Sequence, residues 1–176
     1  MNTKRLLLTS LFSALIIIGA YLRFPLPPVP ITLQTLFVLL AGLLTDWKLA
    51  TASTAIYLLL GAIGMPVFSS GGGIGILLGP TGGFLFALLP AAAICGIAGK
   101  LSKKNHPLLS NLLFGFIATL VIYAIGVPYL KYNRSLSWDL AIQVGMLPFL
   151  IGDMLKLVVA AKLAVTFRPR IEELLS

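Results

Sequence analysis

The chain has 176 residues, of which 59% are hydrophobic and only 10% charged, and its mean hydropathy is +1.03. A soluble domain carries roughly 25% charged residues, so these side chains cannot cover a globule in water and the composition indicates an integral membrane protein. The net charge of +8, from 13 Lys and Arg against 5 Asp and Glu, does not point to nucleic acid, which requires a basic face on a soluble fold. In a membrane chain, loop Lys and Arg set orientation and meet anionic lipid head groups.

A spanning helix needs roughly 17–25 mostly apolar residues. Six such segments are expected, at about 5–22, 31–46, 48–64, 82–100, 107–127 and 139–166, giving an all-α bundle in a single domain over 1–176. The first begins MNTKRLLLTS and has the basic start and apolar core of a secretory signal. It is long enough to span and further spans follow, so it is read as a retained helix. RFPLPPVP (23–30) then holds four prolines, which cannot continue a helix and impose an extended turn. TDWK (45–48) is a tight polar turn, and SKKNHP (102–107) and LKYNRSLSWD (130–139) are charged loops.

Six spans place Lys4, Arg5, Lys48, Lys100, Lys103, Lys104, Arg168 and Arg170 on one side, and Arg23, Lys131 and Arg134 on the other. This bias of eight against three predicts that both termini lie on the cytoplasmic face of a plasma membrane. The single cysteine, Cys95, sits in the apolar stretch AAAICGIAG, with no partner for a disulfide and no ligand cluster around it, and is read as a small packing residue.

Between the third and fourth spans lies GMPVFSSGGGIGILLGPTGG (64–83), with eight glycines, two prolines and no charge. It matches neither glycine-rich phosphate motif. Gly99-Lys100 is followed by Leu101, with Ile94 where a Walker loop needs its first glycine, and Gly73-x-Gly75 leads to Leu78 where a dinucleotide fingerprint needs glycine. The segment is too apolar for an ordinary solvated loop and too glycine-rich for a stable helix. Irregular backbone at membrane depth is buried in protein or lines a cavity. The expectation is a flap over a pocket, offering bare N–H and C=O groups to a ligand; the plainer alternative is a surface turn at loosely packed helices.

In the last span, FLIGDMLKLVVA (149–160) carries Asp153 and Lys156, at a spacing that puts both on nearly one helix face. Each charge near the bilayer centre costs roughly 2.5–3.5 kcal/mol, and such residues usually face the interior and mark a substrate or ion path. A pair that merely joins two helices is poorly explained, because replacing a buried ion pair by apolar residues is often neutral or stabilising by about 1–4 kcal/mol. A ligand-binding or proton-relay role is favoured. Thr32 and Gln34, in PITLQT, are placed to reach a pocket at the proline-turn face, or else serve as a helix cap and an interhelical hydrogen bond. Tyr123 is a further pocket candidate, although Tyr123, Tyr129 and Trp138 also suit an interfacial aromatic belt. His106, alone in a charged loop, is given no role.

PPVPITLQTLFVLLAGLL (27–44), GGGIGILLGPTGGFL (71–85) and LPFLIGDMLKLVVAAKLA (147–164) together resemble the BioY family, the biotin-binding S-components of energy-coupling factor transporters, nearly end to end. The resemblance implies a six-helix bundle with a vitamin pocket near the extracellular face, closed by the loop between helices three and four. It implies that the chain binds biotin without covalent chemistry or a cofactor, and works with a transmembrane coupling subunit and two ATPases. The family's helix-six acidic and basic positions fall on Asp153 and Lys156, and its loop motif on Gly79, Pro80, Thr81, Gly82 and Gly83. S-components tend to carry A-x-x-x-A on helix one for docking the coupling subunit; here the match is Ser10-x-x-x-Ala14, both small enough for close helix approach.

Biotin suits these residues physically: its ureido N–H groups can donate to Asp153 and its carboxylate can meet a cation or a backbone N–H. The alternative from another class is a self-sufficient proton-coupled carrier with Asp153 as the proton site. Against it stand the small size of the chain and the lack of a clear internal duplication. A membrane enzyme would need a nucleophile–base or metal-ligand set, and none is visible.

Overall fold

The structure is a computed structural model that describes residues 3–101 and 106–175. The basic loop residues Lys103 and Lys104 lie outside the described residues, as does the side chain of Lys100. Helix α1 (Thr3–Tyr21) leads into a two-stranded antiparallel ribbon, β1 (Arg23–Phe24) and β2 (Ile31–Thr32), in which Arg23 faces Thr32 and Phe24 faces Ile31. The prolines between the strands supply the reversal and withhold the N–H groups a longer ladder would need.

Helix α2 (Gln34–Leu44) is apolar on nearly every side and packs against α1, α3 (Trp47–Ala62), α5 (Gly82–Leu101) and α8 (Leu150–Leu175). A helix hydrophobic all round belongs at the centre of a bundle, and Val38, Ala41 and Leu43 are wholly buried there. The α2–α3 turn is capped by Asp46, which accepts from the N–H groups of Lys48 and Leu49 and pairs with Arg5 at the start of α1. Partial burial opposes the Asp46 charge, but the Leu49 N–H and the Arg5 guanidinium outweigh it and hold the carboxyl below the usual carboxylate range. The Gly-rich segment contains a single helical turn, α4 (Ile74–Leu77), and α6 (Pro107–Arg134) and α7 (Trp138–Gly145) complete the order.

Three expected boundaries move. The second span shrinks to the 11 residues of α2, because 31–33 join the ribbon and its turn. Helix α6 does not stop at 127 but runs through Pro128 to Arg134, so most of the expected loop at 130–139 is helical. Proline is tolerated inside packed membrane helices when neighbours satisfy the freed carbonyl. The end is set instead by Ser135 in the left-handed region, φ 50°, whose N–H returns to the last turn. The expected single helix at 139–166 is α7 and α8, bent by 47°, and α8 extends to Leu175. Pro148 accounts for the break: it has no N–H, clashes with the preceding turn, and biases Leu147 away from helix.

By length and composition α1 and α6 each suffice to cross a bilayer, and α7–α8 does so as one bent span. Counting that pair once, and setting aside the single turn of α4, six helical segments build the bundle among the described residues. The ribbon, the Gly-rich loop and the α7–α8 break gather at one end, where the Tyr21 hydroxyl donates to the Pro66 carbonyl and the Asn133 amide to the Leu78 carbonyl. The Arg5–Asp46 pair marks the other end.

Candidate ligand-binding site

A cavity opens at the ribbon end, a concave place of the kind in which small molecules bind. Its walls come from every part of that end: Val29, Pro30 and Thr32 of the ribbon, Gln34 and Thr35 of α2, Ser69 and Thr81 of the Gly-rich loop, Phe84, Leu85 and Leu88 of α5, Ile122 and Tyr123 of α6, and Gly145, Phe149, Asp153 and Lys156 around the α7–α8 break. Apolar walls with a few convergent polar groups are what an orienting small-molecule site requires.

Asp153 and Lys156 line the cavity and are each only 8% exposed. The Lys156 Nζ donates to Asp153 Oδ1 at 2.8 Å. The Pro148 break fixes this geometry by starting α8 just before Asp153, in the first turn where a helix favours an anion. The carboxylate is also held from two other helices: the Tyr123 hydroxyl donates to Oδ2 and the Thr35 hydroxyl donates to Oδ1 over a long 3.5 Å. Asp153 thus joins α2, α6 and α8, and the ion pair is clamped between them.

The N-cap of α2 is Leu33, which makes no side-chain cap bond; Thr32, one residue earlier, accepts from the Gln34 backbone N–H at 3.3 Å, and Thr32 and Gln34 both line the cavity. The Gln34 side chain is only 6% exposed and its Nε2 is buried without a hydrogen-bond partner. A buried unpaired donor costs roughly 1–3 kcal/mol.

Of the GPTGG motif, only Thr81 lines the cavity; Gly79, Pro80, Gly82 and Gly83 are not among the lining residues. Two of these glycines pack against protein instead. A Cβ on Gly82 would sit 1.8 Å from the Leu77 carbonyl oxygen, and one on Gly83 2.3 Å from the Tyr129 Cβ. These glycines let the loop close tightly onto α5 and α6, and side chains, Ser69 and Thr81, reach inward. The rest of the loop is pinned: Phe68 is 1% exposed and meets the Tyr57 ring edge-on at 5.4 Å, and the Tyr129 hydroxyl donates to the Leu77 carbonyl at 3.2 Å. Trp138 is exposed, with the Lys131 ammonium 5.1 Å from its ring centre, an arrangement suited to the interfacial belt. Ser10 and Ala14 lie exposed on the outer face of α1, beside Leu7 and Leu11.

Thr35, Ser69, Phe84 and Phe149 line the cavity without having been singled out in the sequence. Phe149 had a readable signal, four residues before Asp153 and so on the same face of the helix start. Ser69 had none, since nothing local distinguishes it from Ser70.

The family model described as the BioY family matches residues 1–173. The chain is 40% identical to the "Biotin transporter BioY" of Thermotoga maritima over 94% of its own length and 96% of that protein. It is 38% identical to the "Biotin transporter BioY" of Rhizobium etli over 93% of its own length and 92% of that protein. Among solved structures it superposes with a TM-score of 0.86 and 27% identity on the crystal structure of "the S-component for biotin from an ECF-type ABC transporter", covering 95% of this chain and 92% of that one. With the match running almost end to end, this chain belongs to the BioY family.

Proposed function

We propose that this chain is the biotin-binding subunit of an energy-coupling factor importer, taking biotin from the extracellular side and delivering it through a transmembrane coupling subunit and two ATPases. The single observation that carries the reading is the clamped pair Asp153–Lys156, buried in the wall of a mostly apolar cavity and held by Tyr123 and Thr35. Biotin has the matching shape: a polar urea at one end, an apolar bicyclic thioether in the middle and a flexible carboxylate tail. The curated relatives named biotin transporters supply the ligand class, and the solved S-component for biotin supplies the transporter class. Both termini face the cytoplasm in this reading, the cavity opens outward beneath the Gly-rich loop, and the Ser10–Ala14 face of α1 meets the coupling subunit.

Equilibrium titration of the purified protein with radiolabelled biotin, with other vitamins as competitors, tests the ligand. Saturable binding displaced by unlabelled biotin alone is expected, and displacement by an unrelated vitamin at equal concentration rejects the assignment. Proteoliposomes test the mechanism. Uptake is expected only with the coupling module and ATP; uncoupler-sensitive uptake by this chain alone would instead establish the proton-coupled carrier.

A further inference from the structure

At the end of the bundle opposite the cavity, a second concave place lies between α1 and α3. The two helices are joined at Ser13, whose hydroxyl donates to the Ser53 carbonyl at 2.9 Å. Nearer the α2–α3 turn a groove separates them, lined by Arg5 and Thr9 from α1 and by Asp46, Trp47, Lys48 and Ala52 at the start of α3. Its acid is largely spent: Asp46 accepts from the Lys48 and Leu49 N–H groups and from the Arg5 guanidinium. Its cations are not. Arg5 has five N–H donors, and among the described residues its side chain makes one bond, to Asp46. Lys48 is exposed, and its Nζ lies 5.7 Å from the Trp47 ring centre, with no acid paired to it among the described residues.

Depth and flanks then decide which anion belongs there. Trp47 is 40% exposed at the rim, and tryptophans at helix ends sit at head-group level, so the groove opens where lipid phosphates lie. Beyond Ala52, one and two turns along the same side of α3, come Ile56 and Leu59, and Leu6 flanks the groove on α1; all three are exposed. A water-borne anion has no use for that apolar border, whereas an acyl chain does. Lys4, Arg5 and Lys48 stand against Asp46 at this edge, a positive excess that favours a head group of net negative charge over a zwitterionic one.

We propose that the α1–α3 groove is a binding site for an anionic phospholipid, whose phosphate accepts from Lys48 Nζ and the remaining N–H groups of Arg5 while an acyl chain lies along Ile56 and Leu59. Asp46 is the positioning residue: its bond to Arg5 holds the guanidinium between the two helices and leaves the other donors for the ligand. Arginine suits this place because its planar fork can give two parallel N–H groups to a phosphate, and Lys48 adds a point charge on a flexible stem. The site involves neither biotin nor a coupling subunit, so it stands or falls apart from the transport reading.

Native mass spectrometry of the full chain, delipidated in detergent and titrated with phosphatidylglycerol or phosphatidylcholine of matched chains, tests this. The first phosphatidylglycerol adduct is expected to form at clearly lower lipid concentration than the first phosphatidylcholine adduct. Lys48→Gln, a change at an exposed position, is expected to weaken phosphatidylglycerol about fivefold, the weight of one cation at a lipid surface. Lys131→Gln, which removes a cation at the opposite end, is expected to leave that affinity as it was. Equal losses in the two variants would show diffuse attraction to a basic protein and overturn the site. No preference for the anionic lipid overturns it too, and leaves the groove to a protein partner. Displacement of the lipid by inorganic phosphate at constant ionic strength would make this a site for a free anion and reject the lipid.

Discussion

Asp153 accepts from residues 30 and 118 positions away in the chain as well as from its neighbour on the helix, so the consequences of altering it are not local. Asp153→Asn leaves Lys156 a buried cation without a counter-charge, and Lys156→Ala leaves the carboxylate without its ammonium. Truncating one partner of a buried, hydrogen-bonded charge pair typically costs about 2–5 kcal/mol. Each variant is expected to lose ligand affinity on that scale in equilibrium titration of monodisperse protein. Near-normal affinity in both would remove the pair from the site. The two charges were legible in the sequence because a charge in an apolar segment is conspicuous at any register. Thr35 was not, since a threonine in a membrane helix ordinarily bonds back to its own turn, as Thr54 and Thr119 do here. The empty amide of Gln34 was not legible either: a glutamine in sequence says nothing about whether its donors are filled.

The element that most affects ligand exchange is the Gly-rich loop. Its largely irregular character followed from composition, but its fastening did not, because the partners lie on α1, α3 and α6. Two carbonyls at the end of α4, those of Leu77 and Leu78, accept from Tyr129 and Asn133 on α6. Neither donor residue lines the cavity, so they act on closure rather than on ligand chemistry. A single neutral hydrogen bond contributes about 0.5–1.5 kcal/mol, which corresponds to a release rate roughly 2- to 12-fold faster when it stabilises only the closed loop. Asn133→Ala is expected to raise the dissociation rate of bound biotin within that range in a stopped-flow chase, and Tyr129→Phe to behave alike. Unchanged rates in both variants would mean that the other fastenings of the loop, Phe68 and the Tyr21 bond to Pro66, hold it closed. The α7–α8 break teaches the opposite lesson about legibility. Pro148 was in plain view, but apolar continuity from 139 to 166 argued for one helix, and hydropathy carries no information on bends. The bend matters, for it sets Gly145 and Phe149 beside Asp153 in one wall.

At the scale of the whole molecule, six apolar segments with polar punctuation were enough to anticipate a bundle with its loops sorted to two ends. Element lengths were not anticipated, because α2 is buried in protein on most sides and need not match the bilayer's thickness by itself. The sorting of charge makes orientation testable. Lys48 is exposed at the end held by the Arg5–Asp46 pair, and Tyr132 is 72% exposed at the cavity end. The native Cys95 is fully buried between helices, so a membrane-impermeant maleimide should not reach it and it need not be removed. Lys48→Cys and Tyr132→Cys, each introduced alone, therefore act as reporters for the two faces. In intact cells the reagent is expected to label the cysteine at 132 and to leave the one at 48 untouched until the membrane is permeabilised. The reverse pattern would place the cavity mouth in the cytoplasm, where a subunit that captures a scarce external solute has no use for it, and would count against an importer even if biotin bound well.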